Sequence, residues 1–129
     1  MTLTITPLYA AASALILLAL IYHVIFARAK YDISLGEAGN ADLLTRVRRH
    51  GNFTETVPLA LIVMGFAELG GASATWLHVA GLLLLGSRLI QPFGLNAETA
   101  ARPARILGGL GTHLSILLST GLIGLNALG

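Results

Sequence analysis

Arg48, Asn52 and Glu55 are a cation, an amide and a carboxylate spaced four and three residues apart. On an α-helix those offsets put all three side chains on one face. They belong to the stretch RVRRHGNFTE (Arg46 to Glu55), which runs directly into the apolar VPLALIVMGFA (Val57 to Ala67). Ionisable groups leading into a membrane-embedded apolar sequence are costly unless they face partners, which makes them a functional-site hypothesis. Arginine grips carboxylates with a planar, two-pronged fork. Arginines joined by an Asn and a Glu therefore suit a small peptide-like anion that carries both carboxylates and an amine. A plainer reading stands beside this one: Arg46, Arg48 and Arg49 snorkel to the interface as topology signals, and Glu55 pairs Arg48 structurally.

Other chemistries find less support. The chain has no cysteine, which excludes disulfides, thiolate metal sites and a cysteine nucleophile. His23, His50, His78 and His113 form neither an HxxxH nor an HExxH spacing, so no metal site is expected. His50, beside Arg49, reads as a solvated or capping side chain, Glu68 as interfacial, and Trp76 as an anchor at a membrane boundary. There is no phosphate-binding glycine loop and no nucleophile elbow.

The elements that must position the polar cluster follow from composition. Of 129 residues 55% are hydrophobic and only 11% charged, with a mean hydropathy of +0.79. Soluble domains carry about 25% charged residues, so the chain reads as a polytopic membrane protein. Its length has room for about four spans of ~20 residues and for no separate soluble domain. The expected fold is all-α, an up-down four-helix bundle with spans near 7–27, 41–69, 74–91 and 105–128. The first run lacks a basic leader and a clean cleavage site, so it is expected to be a span and not a signal peptide. In the second span the apolar part, Val57 to Ala67, is too short to cross the hydrocarbon, so the polar stretch from about Ala41 must share its helix. Pro58 removes the hydrogen bond to the Thr54 carbonyl and predicts a bend just after Glu55. Pro92 and Gly94 are expected to break the third helix. Gly111, Ser115 and Ser119 recur every four residues in the fourth, a small-residue stripe that permits close helix contact.

The basic residues set an expected topology. Arg28, Lys30, Arg46, Arg48 and Arg49 lie between spans one and two, and Arg88, Arg102 and Arg105 flank the connector between spans three and four. The N-terminus, the turn after Gly70 and the C-terminus have neither Lys nor Arg. The positive-inside rule then puts both basic connectors in the cytoplasm and both termini on the outer side. Arg48, Arg88 and Arg105 converge at one level. The net charge of +2 is explained by these helix-end arginines, and no nucleic-acid partner is expected.

RVRRHGNFTETVP (Arg46 to Pro58) resembles the R-x-H-x-N-x-x-E-x-x-P signature of the MAPEG family, the membrane-associated proteins in eicosanoid and glutathione metabolism. SLGEAGN (Ser34 to Asn40), GSRLIQPFGL (Gly86 to Leu95) and RILGGLGT (Arg105 to Thr112) resemble bacterial members and follow in the right order. The resemblance implies a four-helix protomer in a homotrimer, with glutathione bound between neighbouring protomers near the cytoplasmic face. It implies that Arg48, Asn52 and Glu55 hold glutathione, together with Arg88 late in helix three and Arg105 opening helix four. Arg28 or Lys30 corresponds to a basic residue near the thiol, so Arg28, Lys30 and Arg105 are the implied catalytic cations. Active relatives hold the glutathione thiol as thiolate, which attacks a lipophilic electrophile arriving from the bilayer. The expected setting is a bacterial inner membrane, with membrane lipids as neighbours and periplasmic termini. Two positions depart from the pattern: Thr56 stands where many members have Tyr, and Gln91-Pro92-Phe93 replaces His-x-Tyr. Two rival readings remain open, a non-catalytic member binding a lipid headgroup or other anion at the same arginines, and a structural membrane protein.

Overall fold

The computed structural model describes residues 2–94 and 103–128, with the backbone alone for Arg105. Most of the connector between the last two helices, including Arg102, lies outside the described residues. Four α-helices follow in order: α1 (Thr6–Tyr31), α2 (Ala41–Leu69), α3 (Ala74–Gly94) and α4 (Pro103–Leu128).

Local chemistry sets the helix ends. Pro7 sits in the first turn of α1, where its missing N–H costs nothing. The helix runs past the expected boundary at 27 to Tyr31, so Arg28 and Lys30 occupy its last turn. Asp32 closes it in the left-handed region (φ 53°). The Asn40 side chain caps α2 by accepting from the Leu43 N–H at 2.9 Å, and Asp42 adds negative charge to the first turn. α2 continues unbroken through Pro58. α3 likewise passes through Pro92 and reaches Gly94, so this proline does not stop the helix where the sequence suggested.

The bundle runs up and down. Tyr9 of α1 packs with Met64 and Ala67 late in α2, Leu77 and Ala80 early in α3, and Leu122 late in α4. Nearer the other end, Leu20 meets Phe53, Val57 and Ala60 of α2 and Leu84 of α3. α2 and α3 each touch all three other helices, and α3 and α4 form the most extensive pair.

The α3–α4 pair is close because its seam is small. Ser115 and Ser119 are fully buried. A Cβ on Gly111 would lie 2.8 Å from that of Ser87, and one on Gly108 only 2.6 Å from that of Gln91. Three of the seam's hydroxyls are paired: Ser115 Oγ donates to the Ala80 carbonyl at 2.8 Å, and Ser87 Oγ and Thr112 Oγ1 are 2.7 Å apart, while the buried Ser119 Oγ has no partner among the described residues. The expected stripe is present and continues to Gly108, one turn nearer the start of α4.

The exterior is apolar. Leu15, Phe26, Phe66, Leu117 and Leu125 are each at least 60% exposed, which water would not tolerate over so many helix faces. α1 and residues Ile106–Leu128 of α4 are long and apolar enough to cross a bilayer.

Candidate functional site

Arg48, Asn52 and Glu55 lie on α2, one helix of 29 residues. From Glu55 to Leu69 the helix rises about 21 Å, and from Arg48 to Leu69 about 32 Å. If Leu69 marks one edge of a roughly 30 Å hydrocarbon layer, Arg48 falls at the far boundary and Glu55 about 9 Å inside it.

Arg48 Nη1 and Glu55 Oε1 are 3.6 Å apart, with the two side chains 51% and 57% exposed. They reach each other across two turns because Gly51 stands between them. A Cβ there would lie 3.6 Å from Arg48 Nη1 and 3.7 Å from Glu55 Oε1. The glycine leaves a notch flanked by a cation and a carboxylate, both open to a ligand. Asn52 is half-buried on the same face. A zwitterion with separated carboxylate and ammonium groups matches this donor set, the guanidinium taking the anion and Glu55 the cation.

Arg88 reaches the same region from behind. It is 2% exposed. Its Nη2 donates to the Gly108 carbonyl at 2.7 Å and its Nη1 to Thr56 Oγ1 at 3.3 Å. Thr56 Oγ1 in turn donates to the Asn52 carbonyl at 2.8 Å. Burial of a cation without a carboxylate is expensive, and among the described residues no carboxylate pairs with Arg88.

Arg28, Lys30 and Arg46 are engaged elsewhere. Arg28 Nη1 donates to the carbonyls of Ile33, Ser34 and Gly36 at 3.0–3.3 Å, folding the first connector over the end of α1. Lys30 Nζ lies 5.0 Å above the Tyr31 ring. Asp42 accepts from Tyr31 at 2.8 Å and Arg46 at 3.0 Å, and Arg46 also reaches the His23 carbonyl at 3.3 Å. Among the described residues, no hydrogen bond or ion pair joins Arg28 or Lys30 to Arg48, Asn52 or Glu55. Arg105 opens α4 three residues before Gly108, and its side chain lies outside the described residues. No group of three potential metal ligands occurs among the described residues.

An apolar crevice of about 480 Å3 separates α1 from α2, lined by Thr6, Ala10, Leu61, Gly65 and Phe66 among others. It lies toward the end away from the arginines. A smaller hollow of about 210 Å3 shares Ala10 and Leu61 with it and runs down to Phe53, next to Asn52. Among the described residues Thr6 is the one polar residue lining the large crevice, so the site is read from the α2 face, with the two hollows as a greasy approach along the helix pair.

The family model of the MAPEG family matches residues 6–125. The chain belongs to the MAPEG family. Two curated relatives, each called inner membrane protein YecN, come from Escherichia coli strain K12 and Escherichia coli O6:H1. Each is 35% identical over 92 residues, covering 71% of this chain and 70% of the relative. No solved structure matches the chain. This MAPEG chain is thus a membrane protein whose α2 carries the R-x-H-x-N-x-x-E-x-x-P stretch that pointed to the family.

Sequence reasoning missed Thr56 as the acceptor of Arg88. A hydroxyl one turn after Asn52 was the available signal, but its partner is 32 positions away along the chain. It also gave Glu68 no partner, and the carboxylate caps the start of α1.

Proposed function

We propose that this protein binds glutathione on the exposed α2 face, with Arg48 and Glu55 taking its charged ends, Asn52 its peptide, and Arg105 completing a basic surround that the buried Arg88 backs from behind. The observation that carries the reading is the open Arg48–Glu55 pair, 3.6 Å apart across the Gly51 notch. When bound, glutathione supplies a thiol nucleophile for transfer to, or reduction of, lipophilic electrophiles dissolved in the bilayer. The chain's own part is to neutralise the carboxylates, lower the field against a nearby thiolate through Arg105 and the α1-end cations Arg28 and Lys30, and admit the apolar partner along the α1–α2 crevice. In this reading the protein is a homotrimer in the bacterial inner membrane, among membrane lipids, with both termini periplasmic.

Calorimetry of glutathione with the detergent-purified protein tests it. Wild type binds, and Arg48→Ala and Glu55→Ala each lose at least tenfold in affinity, the scale of a charge-assisted hydrogen bond. A folded protein that does not bind glutathione refutes it.

One observation favours a second reading, anion binding without transferase activity. The Thr56 hydroxyl has a single proton and directs it to the Asn52 carbonyl, so it has none left for a thiolate. Phe93, 82% exposed, has no hydroxyl at all. A phospholipid that co-purifies and is released by Arg48→Ala, with no glutathione affinity in wild type, supports that reading.

A further inference from the structure

We infer that Arg88 is a positioning residue: it clasps α2 to α4 and so sets the distance between the ligand-facing residues of α2 and Arg105. This rests on the glutathione reading for its functional consequence, but its geometry stands apart from it. With 2% of its surface exposed, Arg88 has no open side for a ligand, in contrast to the half-exposed Arg48 and Glu55. Its two hydrogen bonds go to two different helices, Nη1 to Thr56 Oγ1 on α2 and Nη2 to the Gly108 carbonyl on α4.

Each end of the clasp adjoins the site. Thr56 follows Glu55 directly and donates to the carbonyl of Asn52. Gly108 lies one turn after Arg105, at the tightest point of the α3–α4 seam, where a Cβ would meet Gln91 and the Ser87 carbonyl. Both prongs of one planar guanidinium are therefore spent on fixing α2 relative to α4. Arg is suited to this because its donors form a rigid fork, which a Lys ammonium lacks. The Nε atom is buried without a partner among the described residues. The unneutralised charge so held behind the α2 face also favours an anion in front of it.

Thr56 is the acceptor of this clasp on α2. Thr56 is short enough to sit inside the bundle against Arg88, and its hydroxyl is oriented by the Asn52 carbonyl. Its role is thus in the spacing of α2 and α4, behind the ligand-facing surface.

A mutant cycle on the intact detergent-purified protein separates this role from direct contact. Arg88→Met, Thr56→Val and the double variant are titrated with glutathione. The clasp requires each single change to weaken affinity by about tenfold. The number of sites stays unchanged, the double variant is no worse than either single, and Thr56→Ser retains wild-type affinity. A merely structural defect lowers the number of competent sites and leaves the affinity of those that remain. Retained affinity in Thr56→Val alongside a loss in Arg88→Met makes Arg88 a direct contact and overturns the proposal. A second arm needs no ligand. The cysteine-free background takes spin labels at Leu59→Cys on α2 and Leu107→Cys on α4, both exposed positions, with labelled chains diluted among unlabelled ones. The clasp expects the α2–α4 distance distribution to shift or broaden in Arg88→Met and in Thr56→Val alike. An unchanged distribution overturns it, whether or not wild type binds glutathione.

Discussion

The carboxylate of Glu68, in the last turn of α2, accepts a hydrogen bond at 2.7 Å from the N–H of Thr6, the residue that opens α1. Its other oxygen accepts from the N–H groups of Thr4 and Ile5 at 2.6 and 2.7 Å. Ile5 at the N-cap has no capping side chain of its own, so the cap is borrowed from another helix. The orphan donors of α1 and the positive end of its dipole are both answered by one carboxylate.

Replacing Glu68 by Ala therefore leaves several α1 donors without their acceptor. The expected cost is about 1–2 kcal/mol, the scale of losing a good helix cap. Thermal denaturation in detergent measures it, and under the proposed glutathione reading affinity is unaffected because the cap lies at the opposite end of α2 from Arg48.

Arg48 and Glu55 are expected to show the reverse pattern. An exposed pair at 3.6 Å contributes at most about 1 kcal/mol to stability. Arg48→Ala should therefore melt within a few degrees of wild type while losing at least tenfold in glutathione affinity. A large drop in melting temperature with affinity intact would assign the pair to structure alone.

Gly108 and Gly109 are neighbours with opposite expected responses to Ala. At Gly108 the new Cβ meets Gln91 Cα at 2.8 Å as well as its Cβ. Backbone cannot swing aside, so the α3–α4 seam must open, at about 1–3 kcal/mol. At Gly109 nothing lies within 4 Å, and Ala gains up to about 1 kcal/mol of helix propensity. Paired melting curves decide whether the seam is as tight as described, and equal responses would contradict it.

Gly81 is the corresponding close approach of α1 and α3. A Cβ there would collide with the ring of Tyr9, whose hydroxyl lies 2.9 Å from His78 Nδ1 and donates to the His78 carbonyl at 3.2 Å. Gly81→Ala is expected to destabilise by about 1–3 kcal/mol. Tyr9→Leu in the same background should recover part of that loss if the ring is the obstacle.

The helices and the exposed part of the site were legible in the linear sequence because their signals are local. Apolar runs of bilayer length mark α1 and α4. The small-residue stripe of α4 follows from a four-residue repeat, and Arg48, Asn52 and Glu55 share a face by helical periodicity alone. The signature around them named the family before any fold was in hand. Helix ends were less legible where sequence offered only a breaker: Pro92 forfeits one hydrogen bond, and the packing of α3 on α4 carries the helix through it to Gly94.

Only the tertiary structure decided which polar residues serve the open face and which serve the bundle. Arg48 and Arg88 are identical in chemistry and were expected at the same membrane level, yet one is half-exposed beside a carboxylate and the other is sealed between helices. Arg28 turned out to hold the loop after α1, and Glu68 to cap a helix 62 residues away in sequence. None of these pairings has a period along the chain. Each depends on which helix stands next to which, and that is set by the summed packing of apolar and small residues along the helix seams.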